Sequence, residues 1–224
     1  IKHVVITEVA DMLPPLKRML INAVVKHVKK MVPAYNLPQA VKLNDALAKG
    51  RGQSFSEANP SNADIAVLQY TGGTTGVAKG AMLTHGNLVA NMLQVHNCLQ
   101  QAGDDGQPLM REGGEIMIAP LPLYHIFAFT VNMMLSMRTG GKTILIPNPR
   151  DIPAVLKELR NHTFHSFPAV NTLFNALLHN PDFKKLDFSG LLLTFGGGMA
   201  VQKAVATRWK EITGSTIIEG YGLS

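Results

Sequence analysis

The chain has a single cysteine, Cys98, in 224 residues. That excludes an intramolecular disulfide and fits a reducing compartment. Charge is also sparse: 16% of residues are charged against 46% hydrophobic, the balance of a globular chain rather than a disordered one. Neither the phosphate-binding pattern G-x-x-x-x-G-K-S/T nor the dinucleotide pattern G-x-G-x-x-G occurs. No basic run is interleaved with aromatics, so the stacking platform of a nucleic-acid binder is missing and no nucleic acid is expected. The serines, Cys98 and the histidines form no triad or metal cluster at a recognisable spacing. No repeat of fixed period or low-complexity segment is present, and no secretory signal is visible at Ile1. Acids are absent from residue 12 to residue 44.

Residues 116–137 lack Asp, Glu, Lys and Arg and are long enough to suggest a membrane span. Pro120 and Pro122 would break that helix, and Tyr124-His125 would put polar groups in mid-span. A strand, a loop and a buried helix fit the stretch better.

What the chain does have is concentrated in Tyr70-Thr71-Gly72-Gly73-Thr74-Thr75-Gly76-Val77-Ala78-Lys79-Gly80. Four glycines, three threonines and a lysine follow the apolar run Ile65-Ala66-Val67-Leu68. A strand therefore feeds a loop whose glycines let backbone N–H groups approach an anion, with hydroxyl donors and a mobile cation beside them. Taken alone, the composition leaves a structural turn open as the plain alternative.

The order of residues decides further. Y/F-S/T-G-G-S/T-T-G-x-x-K-G, followed here by Ala81-Met82-Leu83-Thr84-His85-Gly86-Asn87, resembles the phosphate loop of the adenylate-forming superfamily of acyl-CoA synthetases, luciferases and peptide-synthetase adenylation domains. Where many members have proline before the lysine, this chain has Ala78. Two further matches follow in order: Pro122-Leu123-Tyr124-His125-Ile126-Phe127, then Gly196-Gly197-Gly198-Met199 with Glu219-Gly220-Tyr221-Gly222-Leu223-Ser224. Within the superfamily the resemblance is nearest to bacterial long-chain fatty acyl-CoA ligases, also in Asn148-Pro149-Arg150-Asp151-Ile152-Pro153.

The resemblance implies attack of a fatty acid carboxylate on the α-phosphate of ATP, release of pyrophosphate, and transfer of the acyl group from the adenylate to CoA. It implies that Thr71, Gly72, Gly73, Thr74, Thr75, Gly76 and Lys79 handle the β- and γ-phosphates. Gly197 and Gly198 would border the adenine, Tyr221 would stack on it between Gly220 and Gly222, and Ser224 would offer a hydroxyl near the α-phosphate. Lys79 and His125 carry the catalytic expectation, His125 by positioning the acyl carboxylate. Phe127, Phe129, Val170, Phe195 and Met199 are candidates for the acyl channel, with Phe129 where some relatives carry a gating tryptophan. For each glycine a tight turn, and for His125, Tyr221 and the apolar side chains ordinary packing, is the plain alternative. Mg²⁺ is expected on a glutamate following Ser224, and the C-terminal domain with its catalytic lysine is expected outside residues 1–224, which read as a fragment of an N-terminal AMP-binding domain. Such a fragment should not catalyse the full reaction. Two alternatives stay open: an adenylating enzyme that loads a carrier protein, and a non-catalytic nucleotide- or lipid-binding module.

Along the chain, residues 4–6 read as a strand and residues 16–32 as a helix, with Leu16, Met19, Leu20, Ala23, Val24, Val28 and Met31 at helical spacing. Its other face carries Lys17, Arg18, Lys26, Lys29 and Lys30. The favoured reading packs the apolar side in a core and solvates the basic one; the alternative lays the helix on anionic lipid. Net charge of +6 fits either an anionic partner or acids located elsewhere. Residues 49–62 read as a surface linker. A helix capped by Thr84 runs to about residue 100, and strands near 115–119, 143–146, 165–167, 191–195 and 216–218 alternate with helices beginning at 151, 168 and 200. The expected fold is α/β, a largely parallel sheet with flanking helices. Long-chain fatty acid, ATP and CoA are the expected partners, with peripheral contact to the inner face of a bacterial cytoplasmic membrane and a homodimer as further expectations for a cytoplasmic protein.

Overall fold

A computed structural model describes residues 3–71, 79–101, 106 and 108–222. Two compact units divide between Asn59 and Pro60. The boundary falls inside the stretch read as a linker, whose residues 51–60 are exposed and without helix or strand.

In the first unit, β1 (Val5–Ile6) pairs in parallel with β2 (Val41–Lys42). Between them runs α1 (Pro15–Ala23), continued by a π-helical stretch, Val24–Val28, and β2 leads into α2 (Leu43–Gly50). Proline in the first turn suits α1, since the missing N–H would have had no partner there. The Asn22 carboxamide accepts from the Ala10 N–H (3.0 Å) and donates to Glu8 (3.2 Å), which ties the preceding turn to the helix. Two expectations fail here. The helical stretch ends at Val28, and no residue of it is buried: Leu16, Met19 and Val28 are exposed. The apolar side packed in a core is therefore not what the structure has.

The second unit opens with a turn that anchors two elements. The Asp64 carboxylate accepts from the Ser61 N–H at 2.6 Å, and that hydrogen bond is the main reason its carboxyl is held below the usual carboxylate range. β3 (Ile65–Thr71) pairs with β4 (Lys79–Thr84) in an antiparallel hairpin, from Ile65 opposite Thr84 to Thr71 opposite Lys79. α3 (His85–Leu99) follows at once. Thr84 Oγ1 accepts from the Asn87 N–H (3.2 Å) and Asn87 Oδ1 accepts from the Thr84 N–H (3.1 Å), a complete capping box. The backbone carbonyls of Asn62 and Asp64 accept from Gly86 and His85 (2.9 and 3.0 Å), so the opening turn also fixes the start of α3.

The remaining elements are β5 (Ile116–Ala119), α4 (Ile126–Ala128), a π-helical stretch Phe129–Met134, α5 (Leu135–Thr139), β6 (Lys142–Leu145), α6 (Ile152–Asn161), β7 (Ser166–Ala169), α7 (Asn171–His179), β8 (Leu193–Gly196), α8 (Lys203–Thr213) and β9 (Ile217–Glu219). Five strands form an all-parallel sheet in the order β6-β5-β7-β8-β9. Parallel pairing forces each connection across a face of the sheet, and neighbouring side chains along a strand point to opposite faces. Ile118, Phe167 and Ile217 accordingly pack with α6, α7 and α8, whereas Met117, Leu193 and Phe195 pack with Leu99 of α3, Val131 and Leu135. The sheet is thus covered on both faces, which explains its short apolar strands.

Trp209 organises one face. It stacks on Phe167 (5.5 Å between centroids) and meets Phe174 edge-on (4.8 Å), while its indole N–H donates to Thr194 Oγ1 (3.2 Å). A buried tryptophan needs that acceptor, and Thr194 on β8 provides it. The helices expected to begin at 168 and 200 begin at Asn171 and Lys203, because Pro168 and Ala169 belong to β7 and the 198–202 segment turns first. No helix among the described residues is long and apolar enough to cross a membrane.

Candidate functional site

In an open parallel sheet, ligands gather at the carboxyl ends of the strands. A cavity of about 360 Å³ lies there, walled by His125, Ile126, Phe127, Thr130 and Val131, by Phe195 and Gly198, by Gly220, Tyr221 and Gly222, and by Asn91 and Val95 of α3. Three segments more than 20 residues apart in sequence (125–127, 195–198 and 220–222) meet in it. No Asp, Glu, Lys or Arg is among its described lining residues.

Each segment is placed by identifiable bonds. The His125 N–H donates to the Pro122 carbonyl (3.0 Å), closing the turn after β5, and the His125 carbonyl accepts from the Phe129 N–H (2.9 Å). His125 caps α4: its Nδ1 accepts from the Phe127 N–H at 3.3 Å. In the neutral ring the proton therefore sits on Nε2, which is a donor. After β8, the Gly197 N–H donates to the Ala169 carbonyl (3.3 Å) and Gly198 adopts φ +76°, a left-handed turn that favours glycine. After β9, the Gly220 N–H donates to the Gly196 carbonyl (2.8 Å), which holds the 220–222 segment beside the 196–198 turn. The carboxylate next to it is engaged: Glu219 Oε2 accepts from the Val201 N–H at 3.0 Å.

Seven residues singled out from the sequence share this cavity: His125, Phe127, Phe195, Gly198, Gly220, Tyr221 and Gly222. Gly197 stands directly behind Phe127. Tyr221 is 92% exposed, so its ring forms rim rather than floor. Three acyl candidates lie elsewhere. Phe129 is half-buried off the wall, since two residues along a helix turn a side chain roughly 200° away from Phe127, whereas Thr130 and Val131 return to that face. Met199 is 57% exposed beyond the left-handed turn. Val170 lines a different cavity. Thr71 and Lys79 face each other where β3 ends and β4 begins, with Thr71 Oγ1 donating to the Lys79 carbonyl at 3.4 Å. The strand expected to feed the 70–80 loop is β3, and its hairpin is separate from the parallel sheet. Gly72, Gly73, Thr74, Thr75, Gly76 and Ser224 lie outside the described residues.

Asn91, Val95, Ile126, Thr130 and Val131 were not assigned from the sequence. The four-residue step from Asn91 to Val95 on a helix capped at Thr84 was the available signal. Among the described residues no three or more His, Cys, Asp or Glu side chains gather, and Glu219 Oε2 is already engaged by the Val201 N–H.

Residues 2–224 match the family model described as AMP-binding enzyme. The chain is 50% identical over 224 residues to a long-chain-fatty-acid–CoA ligase of Yersinia pestis, covering all of this chain and 39% of that protein. It is 51% identical over 225 residues to the ligase of the same name from Haemophilus influenzae, with the same coverage. It thus spans 39% of the length of these curated relatives. Among solved structures, ATP-bound MatB from Rhodopseudomonas palustris superimposes with a TM-score of 0.68 at 24% identity, over 99% of this chain and 40% of that one, a likeness of fold.

Proposed function

Because this chain belongs to the AMP-binding enzyme family, we propose that it is part of an ATP-dependent long-chain fatty acid–CoA ligase, within the N-terminal domain of that longer enzyme. The observation that carries the reading is the convergence of His125, Phe127, Phe195, Gly198, Gly220 and Tyr221 on one cavity, in a chain about half identical to ligases of that name.

A carboxylate is a poor acyl donor because its leaving group would be oxide. Attack of a carboxylate oxygen on the α-phosphorus of ATP replaces oxide with AMP and expels pyrophosphate. The protein's task is to hold two anions together and to stabilise charge that grows at phosphorus. In this reading the 71–79 loop and Lys79 grip the β- and γ-phosphates. The adenine lies against Gly197, Gly198 and Tyr221, and Ser224 offers a donor near the α-phosphate. His125 Nε2–H donates to the fatty acid carboxylate and positions it; a carboxylate at neutral pH needs no base. Phe127, Val131, Phe195 and Val95 form the apolar wall behind that carboxylate. The thiol of CoA then takes the acyl group.

The same reading places the enzyme in the cytoplasm, peripheral on an anionic membrane face. Its support is α1 with its continuation, where exposed Leu16, Met19, Leu20 and Val28 accompany Lys17, Arg18 and Lys26, with Lys29 and Lys30 just beyond and no acid from residue 12 to residue 44.

The test uses the full-length protein with ATP, Mg²⁺ and palmitate. Acyl-AMP and pyrophosphate are expected, and CoA should convert the adenylate to a thioester. Absence of fatty-acid-dependent pyrophosphate would overturn the reading, whereas transfer to a carrier protein in place of CoA would change the acceptor alone.

A further inference from the structure

Gly196 ends β8 between two strand partners, Ala169 at the end of β7 and Glu219 at the end of β9. Past Gly196 strand pairing stops, and the 197–202 turn brings Gly198 to the cavity wall. Three N–H groups of that turn find acceptors on neighbouring elements. The Gly197 N–H donates to the Ala169 carbonyl (3.3 Å), the Val201 N–H to Glu219 Oε2 (3.0 Å) and the Gln202 N–H to Asn171 Oδ1 (3.0 Å). Two of these acceptors are side chains. They take consecutive N–H groups, and they come from opposite sides of β8: Asn171 opens α7 after β7, and Glu219 closes β9. Asn171 is buried, and neither residue is among those that wall the cavity. Apolar packing also holds the turn down. Val201 is buried in the core, and its Cγ2 lies 2.6 Å from where a Cβ on Gly196 would stand. Such packing is non-directional, so it keeps the turn on the sheet without fixing where Gly198 stands; the two side-chain bonds are directional.

We propose that Asn171 and Glu219 are positioning residues for the nucleotide: by holding the Gln202 and Val201 N–H groups they set the distance between the 196–198 and 220–222 walls. The assignment rests on the ligase reading, in which the adenine lies against Gly197, Gly198 and Tyr221. Glu219 ties the two walls directly. Its carboxylate holds the turn that follows one wall, and the N–H of the next residue, Gly220, donates to the Gly196 carbonyl of that same wall at 2.8 Å. Asn171 anchors the turn from the other side, to the start of α7. A flat base between two walls gains contact on both only at one separation, and a misplacement of about 1 Å can cost about 10²-fold in a positioned reaction. A carboxylate acceptor suits the exposed tie, because it holds an N–H more strongly than a neutral oxygen does. A carboxamide suits the buried one, because it accepts without bringing a charge into the interior.

The experiment measures ATP binding first, apart from any chemistry. In the full-length protein, calorimetric titration with ATP and Mg²⁺ in the absence of fatty acid should show a Kd raised about tenfold by Glu219→Ala and by Asn171→Ala. Glu219→Gln and Asn171→Asp keep an acceptor oxygen, and each should return the Kd to within about twofold of wild type. In palmitate-dependent pyrophosphate release, both alanine variants should raise the KM for ATP by a similar factor and leave the KM for palmitate within about twofold. Wild-type ATP affinity in both alanine variants would overturn the assignment. So would a Glu219→Gln variant as impaired as Glu219→Ala, which would make the charge and not the hydrogen bond the cause. Equal rises in the KM for ATP and for palmitate would overturn it too, as the mark of a loosened fold. Should Asn171→Ala fail to fold, the exposed Glu219 decides through its alanine and glutamine variants. A wild-type protein that binds ATP but releases no pyrophosphate with palmitate would remove the ligase reading, and the ATP titrations would still decide for or against the two ties.

Discussion

The ring of Phe127 occupies the space that a side chain on Gly197 would need: a Cβ there would lie 2.9 Å from Phe127 Cε1 and 3.1 Å from Cζ. The two residues come from different strand ends, so this contact sets the spacing between the 125–127 and 195–198 walls. Gly197→Ala should destabilise the fold by about 1–3 kcal/mol through overpacking. Urea unfolding should show a lower midpoint with an unchanged slope, and the double variant Gly197→Ala, Phe127→Ala should show less than the sum of the single effects.

The second expectation concerns phosphate grip. Lys79 opens β4, paired with Thr71 at the end of β3. In the full-length enzyme, Lys79→Ala with Thr74→Ala should lower fatty-acid-dependent pyrophosphate release about 10²-fold, the size typical of losing a donor to developing charge. Circular dichroism should be unaltered. Wild-type pyrophosphate release from the double variant would refute the assignment of the 70–80 loop.

Helix α1 carries the third. Each Lys or Arg near an anionic bilayer contributes about 1 kcal/mol, screened by salt. Sedimentation with phosphatidylserine vesicles should retain the full-length protein at low ionic strength and release it at high. Charge reversal at Lys17, Arg18 and Lys26 should abolish retention. Binding indifferent to both salt and charge reversal would sink the membrane reading.

Thr84 tests the helix that brings Asn91 and Val95 to the cavity. Thr84→Ala removes the acceptor for the Asn87 N–H and should cost about 1 kcal/mol. Hydrogen exchange should rise first in the opening turn of α3. Thr84→Ser keeps the acceptor and should restore protection.

A pH expectation follows from Asp64. Its carboxyl titrates below the usual carboxylate range because the charged form accepts the Ser61 N–H. A depressed folded value stabilises the native state above the unfolded carboxylate's range, and that contribution is lost as pH falls through the lower folded value. Titration by carboxyl carbon NMR should find Asp64 below an unstructured aspartate, and Asp64→Asn should remove this group's share of the acid transition. A normal Asp64 titration would contradict it.

Much of the fold was legible because local chemistry and tertiary packing agree. Thr84 and Asn87 announce α3, Asp151 and Pro153 announce α6, and the alternation of short apolar runs with helical spacing announces a parallel sheet. Legibility stops where the cause is not local. A two-residue strand such as β2 exists only through its pairing with β1. The apolar spacing of α1 predicts a packed side, but spacing cannot say what covers it, and here no residue of α1 is buried. In the cavity, motif order gathered His125, Phe195 and Gly220, while the choice of Phe127 over Phe129 depends on the turn of a helix whose start was not fixed beforehand. Asn91 and Val95 belong to no motif, and only the fold brings α3 to that wall.

The turn that opens the second unit has a consequence for how such a chain can be cut or lengthened. The acceptors that hold the start of α3 are the carbonyls of Asn62 and Asp64, and Asp64 in turn holds Ser61. All of them lie on the far side of the unit boundary from residue 59. The stretch from 51 to 60 therefore bears none of this tension. Insertions or deletions there change a tether and leave the clasp intact, which makes that stretch the place where a gene could be lengthened, permuted or joined to another without unfastening the helix that faces the cavity.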